Sequence, residues 1–280
     1  MTSRQRPQRL YLCGGPQSGG TTLISWCFLQ RGDMDGVVDA RTDLLPVIPE
    51  DLKSPRAWCK MTISCFRFAE VRDHLNDLGW EIAPLLVVRD VRAVFNSLMK
   101  KGYGSNGTTA EEPPIRTRLR RFKQDWELFR ERSWPVLGYE KLLRDPEQTL
   151  RQACSEMELP WDQGMLTWPK NPSQIADRKH ANRTFLVTRR QTFAETADPK
   201  LAEVCVSAIP PGDLAWIEEV FADYNRIEGY PQHIPAKAQW SQPNEWAVPR
   251  YERTRRYKKR RPWFAFIVKP FRILSSARLR

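Results

Sequence analysis

A strand-length apolar run, RLYLC, ends at Cys13 and gives way at once to GGPQSGGTTL, residues 14–23. No other stretch restricts the fold of this chain so strongly. The residues that follow, ISWCFLQ, read as a helix over 21–30 with Thr21 and Thr22 in its first turn. A glycine-rich strand-to-helix turn aims its backbone amides at one point, and the helix N-terminus adds roughly half a positive charge there. Gly15 to Thr22 keeps the spacing G-x-x-x-x-G-K-[ST], but Thr21 stands in the lysine slot. A triphosphate needs that lysine and normally brings Mg²⁺. The loop therefore suits a smaller terminal anion held by amides and hydroxyls, or else it is a tight turn with no ligand.

The rest of the chain alternates strand-like and helix-like segments. AWCKMTISCF (57–66) reads as a short strand or strand-loop, and FAEVRDHLNDLG (68–79) as an amphipathic helix stopped by Gly79. APLLVVRD (83–90) is a continuous apolar run, the pattern of a parallel strand covered on both faces. VRAVFNSLMKKG (91–102) and RLRRFKQDWELFRER (118–132) read as helices flanking a loop at 103–117. DPEQTLRQACSEMEL (145–159) is a helix capped by Asp145 with Pro146 at its first position, and 211–229 is one amphipathic helix. GVVDARTDLLPVI (36–48) fits strand or helix equally, and 160–200 is irregular. This order indicates an α/β domain with a mainly parallel sheet.

The net charge of +12 belongs to one end. Residues from Arg250 onward carry +11, which leaves +1 on residues 1–249. A nearly neutral body argues against a broad basic face for specific nucleic-acid binding. Residues 1–231 form the expected domain, 232–249 a linker, and 250–280 a tail that interleaves cations with Trp263, Phe264, Phe266 and Phe271. Such a tail is either solvated, attached to an anionic membrane surface, or a holder of an acidic polysaccharide. The six cysteines form no CxxC pair, and four lie in apolar runs, which favours a reducing compartment, the cytoplasm. No signal peptide and no run of about 20 apolar residues is visible.

A second anion signal lies at Arg89, which closes the 83–90 strand, with Ser97 eight residues on. An arginine at a strand end can present two donors to a phosphate, and the serine adds a hydroxyl. An ordinary ion pair and a surface serine are the alternative. PQSGGTT (16–22) and RDVRAVFNS (89–97) together resemble the loop and the R-D-x-R-x-x-x-x-S motif of the sulfotransferases that use 3′-phosphoadenosine 5′-phosphosulfate (PAPS). GYEKLLRDPEQTLRQACSEMELPWD (138–162), IEEVFADYNRIEGYP (217–231) and, more weakly, HANRTF (180–185) are similar to further family segments.

The resemblance implies a three-layer fold like that of the P-loop NTPases, with a central parallel sheet flanked by helices. It implies PAPS as donor, PAP as product, and no metal. The 5′-phosphosulfate would lie on the loop, Pro16, Gln17, Ser18, Gly19, Gly20, Thr21 and Thr22, and the 3′-phosphate on Arg89 and Ser97. Asn182 and Arg183 would close over the nucleotide. The loop departs from the family pattern at Gln17, where a Lys or Arg is usual, and in having two glycines before the threonine pair.

Sulfuryl transfer needs a cation on the departing phosphate and a base for the acceptor. Lys60 is the candidate cation, and Asp39, then His180, the candidate bases. The acceptor, a hydroxyl or amine on a carbohydrate, lipid or small molecule, would meet the loops at 31–56, 103–117 and 163–180. Trp161 and Trp168 are candidates to stack on a sugar or to fill core. Two other classes stay open, a P-loop small-molecule kinase and an inactive nucleotide- or polyanion-binding relative.

Overall fold

The computed structural model describes residues 9–40, 44–48, 54–104, 113–167 and 206–233, together with Thr42, Leu52 and Val204. Five strands, β1 (Arg9–Gly14), β2 (Met34–Val37), β3 (Arg56–Lys60), β4 (Glu81–Val88) and β5 (Val136–Gly138), form one parallel sheet in the order β2-β3-β1-β4-β5. The helices are α1 (Thr21–Phe28), α2 (Phe68–Asp77), α3 (Val91–Lys100), α4 (Ile115–Glu131), α5 (Tyr139–Arg144), α6 (Pro146–Glu156), α7 (Pro211–Val220) and α8 (Ala222–Glu228).

Alternation along each strand sends side chains to two cores. Leu10 and Leu12 of β1 join Leu86 and Val88 of β4 beneath α2, α3, α4, α7 and α8. Tyr11 and Cys13 join Leu85 and Val87 beneath α1, α5 and α6. Both faces are therefore covered, as the unbroken apolar run at 83–90 requires.

Strand order places the site. From β1 the chain moves outward to β2, while from β3 it crosses β1 to reach β4. The connections thus diverge around β1, and in open parallel sheets ligands settle at the carboxyl ends beside such a switch point. The loop after β1, Lys60 at the end of β3, Arg89 after β4 and Tyr139 after β5 all lie on that edge.

Several expectations are refined. The ambiguous 36–48 segment contains the end of strand β2, followed among its described residues by non-regular backbone. Helix α4 starts at Ile115, inside the expected loop, because Pro114 precedes it and Arg116 pairs with Asp213 of α7 at 2.7 Å. The single helix expected at 211–229 is two, which break at Phe221 as its ring packs edge-on to Trp216 and Tyr224. Asp145 caps α6 through the Gln148 amide at 3.1 Å, with Pro146 first in the helix. Cys13, Cys27, Cys59, Cys65 and Cys154 are buried and unbridged. Cys205 and the 250–280 tail fall outside the described residues. Among those residues, no helix is long and apolar enough to cross a membrane.

Candidate active site

The loop is fastened on both sides before it can hold anything. The Met61 amide donates to Cys13 O and the Ile63 amide to Gly15 O, so the chain after β3 extends the pairing past the end of β1. Pro16 bridges to Ile63, and the Gly19 amide returns to Pro16 O at 2.9 Å, which closes the turn. Gly20, at φ 88°, is the residue before α1. A Cβ there would sit 2.1 Å from the Tyr139 ring, so only glycine lets the loop pass beneath that tyrosine. No side chain caps α1. Its first-turn amides therefore face the crevice as donors for an outside anion.

Ser18 is bent into the left-handed region at φ 69°, a strained position for a residue with a side chain. Two cations grip it there. Arg89 donates to its carbonyl at 2.7 Å, and Lys101 donates to its hydroxyl at 2.7 Å. The Arg89 guanidinium also lies 4.5 Å from the centre of the Tyr139 ring. Its backbone is clamped by Tyr224, whose hydroxyl accepts from the Arg89 amide at 3.2 Å and donates to the Arg89 carbonyl at 2.8 Å. The two sequence signals, 71 residues apart, thus meet at one crevice. Ser97 is half-buried one helical turn before Lys101, on the same face of α3.

Lys60 is only 3% exposed and bonds to Asp39 Oδ1 at 2.6 Å and Thr62 Oγ1 at 2.9 Å. The cation and base candidates are therefore partners. Lys60 also stands beside Cys13 in the β1–β3 register. Burial outweighs that neighbouring charge and pushes the Cys13 thiol up to about 12, which removes it as a nucleophile at neutral pH.

The remaining motif residues serve the frame. Arg92, fully buried, bonds to both oxygens of Asp90 at 2.8 and 2.6 Å, to Glu218 of α7 at 3.2 Å, and to the Pro231 carbonyl. Glu140 accepts from the Asp90 amide at 3.0 Å and from the Tyr230 hydroxyl at 2.9 Å. Burial, followed by the charges around it, raises the Tyr230 pKa, so the phenol stays a donor. RDVR, YE and GYP, widely spaced in sequence, are thus one knot at the end of β4. A cavity of about 520 Å³ adjoins it, lined by residues such as Arg92, Glu140 and Tyr230 and by none of 15–22.

Three contributors escaped sequence reasoning. Lys101 lies four residues beyond Ser97, a legible spacing, within a segment whose only other mark is the Gly102 stop. Tyr224 lies within the 217–231 segment, and nothing local to it signals a contact with Arg89. Arg118, in the cationic run RLRRFK, had no signal to distinguish it. Trp161 is not at this site. It belongs to the far end of α1, where Arg31 bonds to Pro160 O, and it lies under Arg151 at 4.3 Å. His180, Asn182, Arg183 and Trp168 fall outside the described residues.

A five-stranded parallel sheet between helices, with a glycine loop at its switch point, is a P-loop-type α/β fold. Comparison with solved structures narrows this to the sulfotransferase fold. The sulfotransferase domain from the curacin biosynthetic pathway aligns with a TM-score of 0.57 at 14% identity, over 82% of this chain and 100% of its own. The sulfotransferase domain of the Synechococcus PCC 7002 olefin synthase aligns at 0.50 and 15% identity, over 79% and 98%. At such identities the likeness is one of fold. No family model matches the chain, and no curated protein matches it.

Proposed function

We propose that this chain is a PAPS-dependent sulfotransferase acting on a hydroxyl or amine of an acceptor. The observation that carries the reading is the contact of Arg89 with the Ser18 carbonyl, which brings the two anion-binding motifs to one crevice. PAPS supplies an activated sulfuryl group at the 5′ position of an adenosine ribose that carries a further phosphate at its 3′ position. The chain's residues fit such a doubly anionic molecule. Ser18 to Thr22 and the uncapped start of α1 would hold the 5′ end, and Arg89 with Ser97 the 3′-phosphate.

Lys60 would stabilise charge on the departing phosphate, where one such donor is worth about 3–4 kcal/mol. Asp39 anchors Lys60 as the site stands. To act as base it must exchange that partner for the acceptor. His180 is the second candidate base, and Asn182 and Arg183 are proposed to cover the nucleotide.

Calorimetry with PAP and ATP, followed by transfer of labelled sulfate from PAPS to carbohydrate, lipid and peptide pools, tests this reading. Tight PAP binding, weak ATP binding and transfer to one pool are expected. ATP preference would indicate a kinase, although Thr21 fills the lysine slot with a buried side chain. PAP binding without transfer to any pool would indicate an inactive relative. For the basic tail we propose attachment to anionic lipid. Equal sedimentation with anionic vesicles by the full chain and by a chain ending at Pro249 would overturn it.

A further inference from the structure

The loop has no cation of its own at Gln17, yet the structure brings two to that place from other elements. Lys101, which closes α3, reaches the Ser18 hydroxyl at 2.7 Å. Arg118, in the first turn of α4 and 2% exposed, donates to Gln17 Oε1 and to the Pro113 carbonyl at 2.7 Å. Its guanidinium lies 4.0 Å from the centre of the Tyr103 ring, and the Tyr103 hydroxyl accepts from the other end of the Gln17 amide at 3.4 Å. Gln17 is thus held between Arg118 and Tyr103. A lysine at 17 would press its ammonium against the guanidinium, so the charge stands on α4 and a neutral amide on the loop.

We infer that Lys101 and Arg118 are the displaced cations of this loop, Lys101 by contacting the anion held beside Ser18 and Arg118 by positioning Gln17 and adding charge behind it. The inference rests on the sulfotransferase reading above. Lys101 and Arg118 lie 83 and 101 residues beyond the loop residues they contact, which places a charge at the loop without a basic residue in its own sequence. Electrostatics agree. Burial and the positive charges of Lys60 on β3, Arg89 after β4 and Arg118 on α4 lower the Lys101 pKa. The Ser18 hydroxyl accepts from this amine, and the nearby Lys60 is itself paired with Asp39. An anion seated among these cations relieves the repulsion and favours protonated Lys101. Binding should therefore weaken as pH rises through the lowered Lys101 value, before an ordinary lysine would titrate.

The experiment is PAP binding by calorimetry with the full chain, across pH, for wild type, Lys101→Met, Arg118→Gln and the double variant Gln17→Lys/Arg118→Gln. Lys101→Met should bind PAP about tenfold more weakly and lose the alkaline fall in affinity. Arg118→Gln should weaken binding similarly. The double variant, which returns the charge to the loop and leaves an amide at 118 to accept from it, should recover most of that loss. Wild-type affinity and an unchanged pH profile in Lys101→Met, which alters a solvent-reaching side chain and so keeps its fold, would overturn the inference while leaving the proposed function intact. So would failure of the double variant to improve on a folded Arg118→Gln. A wild-type chain that binds no PAP overturns the functional reading and this inference together.

Discussion

The two ends of helix α3 carry opposite electrostatics. At its start, Arg92 is buried among carboxylates: Asp90 takes two of its hydrogen bonds and Glu218 a third. At its end, Lys101 is surrounded by positive charge from Lys60, Arg89 and Arg118, which with burial drives its pKa down. The first arrangement is internally satisfied and needs nothing from outside. The second is stable only as far as the fold imposes it, and an arriving anion improves it. Whether the surrounding charges attract or repel the cation therefore separates a fastening from the proposed binding site within one helix, although both ends are marked by basic residues in the sequence.

Substitutions at the two ends test this contrast. Replacing Arg92 with Met strands the Asp90 and Glu218 carboxylates in the interior and should cost about 3–5 kcal/mol in urea denaturation. Lys101→Met should stay within about 0.5 kcal/mol of wild type in the same assay. Equal urea midpoints for the two variants would break the comparison.

Asp125 sharpens it from the interior. This carboxylate caps the start of α2 through the Phe68 amide at 2.6 Å and faces Arg67 at 3.2 Å, yet burial prevails and raises its pKa from 3.8 to about 6. The folded state therefore holds the proton more tightly than the unfolded chain. The stability this confers is present below pH about 4 and is lost as pH rises to about 6, a fall of about 3 kcal/mol at most. Denaturation midpoints across that range should show the slope in wild type and not in Asp125→Asn.

On the binding side, Lys60→Met should lower turnover about a hundredfold and weaken binding of PAP, which carries the charge of the departed phosphate, more than binding of PAPS. Single-turnover transfer and calorimetry on the same preparation separate the two effects. Unchanged turnover would remove Lys60 from the mechanism. A modest effect is expected at Glu140→Gln, which keeps an acceptor for either the Asp90 amide or the Tyr230 hydroxyl. A loss of about 1 kcal/mol in thermal unfolding is anticipated, and a loss like that of Arg92→Met would extend the energetically coupled knot to Glu140.

Much of the architecture was legible because it is written in local patterns. The apolar runs at 10–13 and 83–88 became adjacent parallel strands, and the glycine loop turned where its residue types required. Arg89 was legible as a residue of the sheet's carboxyl edge because it closes a strand. The role of Arg92, three residues on, was not, since nothing local says that Glu218 and Pro231 return to meet it. The break at Phe221 was equally hidden, because it answers to Trp216 and Tyr224 packing in three dimensions rather than to a breaker residue.

By itself, the sequence determined the parallel sheet, the glycine turn at its switch point and the arginine beside that turn, since periodicity, positive φ and strand ends are properties of neighbours along the chain. Only the tertiary structure decided that Lys60 pairs with Asp39, and that Lys101 and Arg118 converge on Ser18 and Gln17. Charges act through space, and long side chains from α3 and α4 reach the loop only after the strand order has brought those helix ends to the same edge of the sheet.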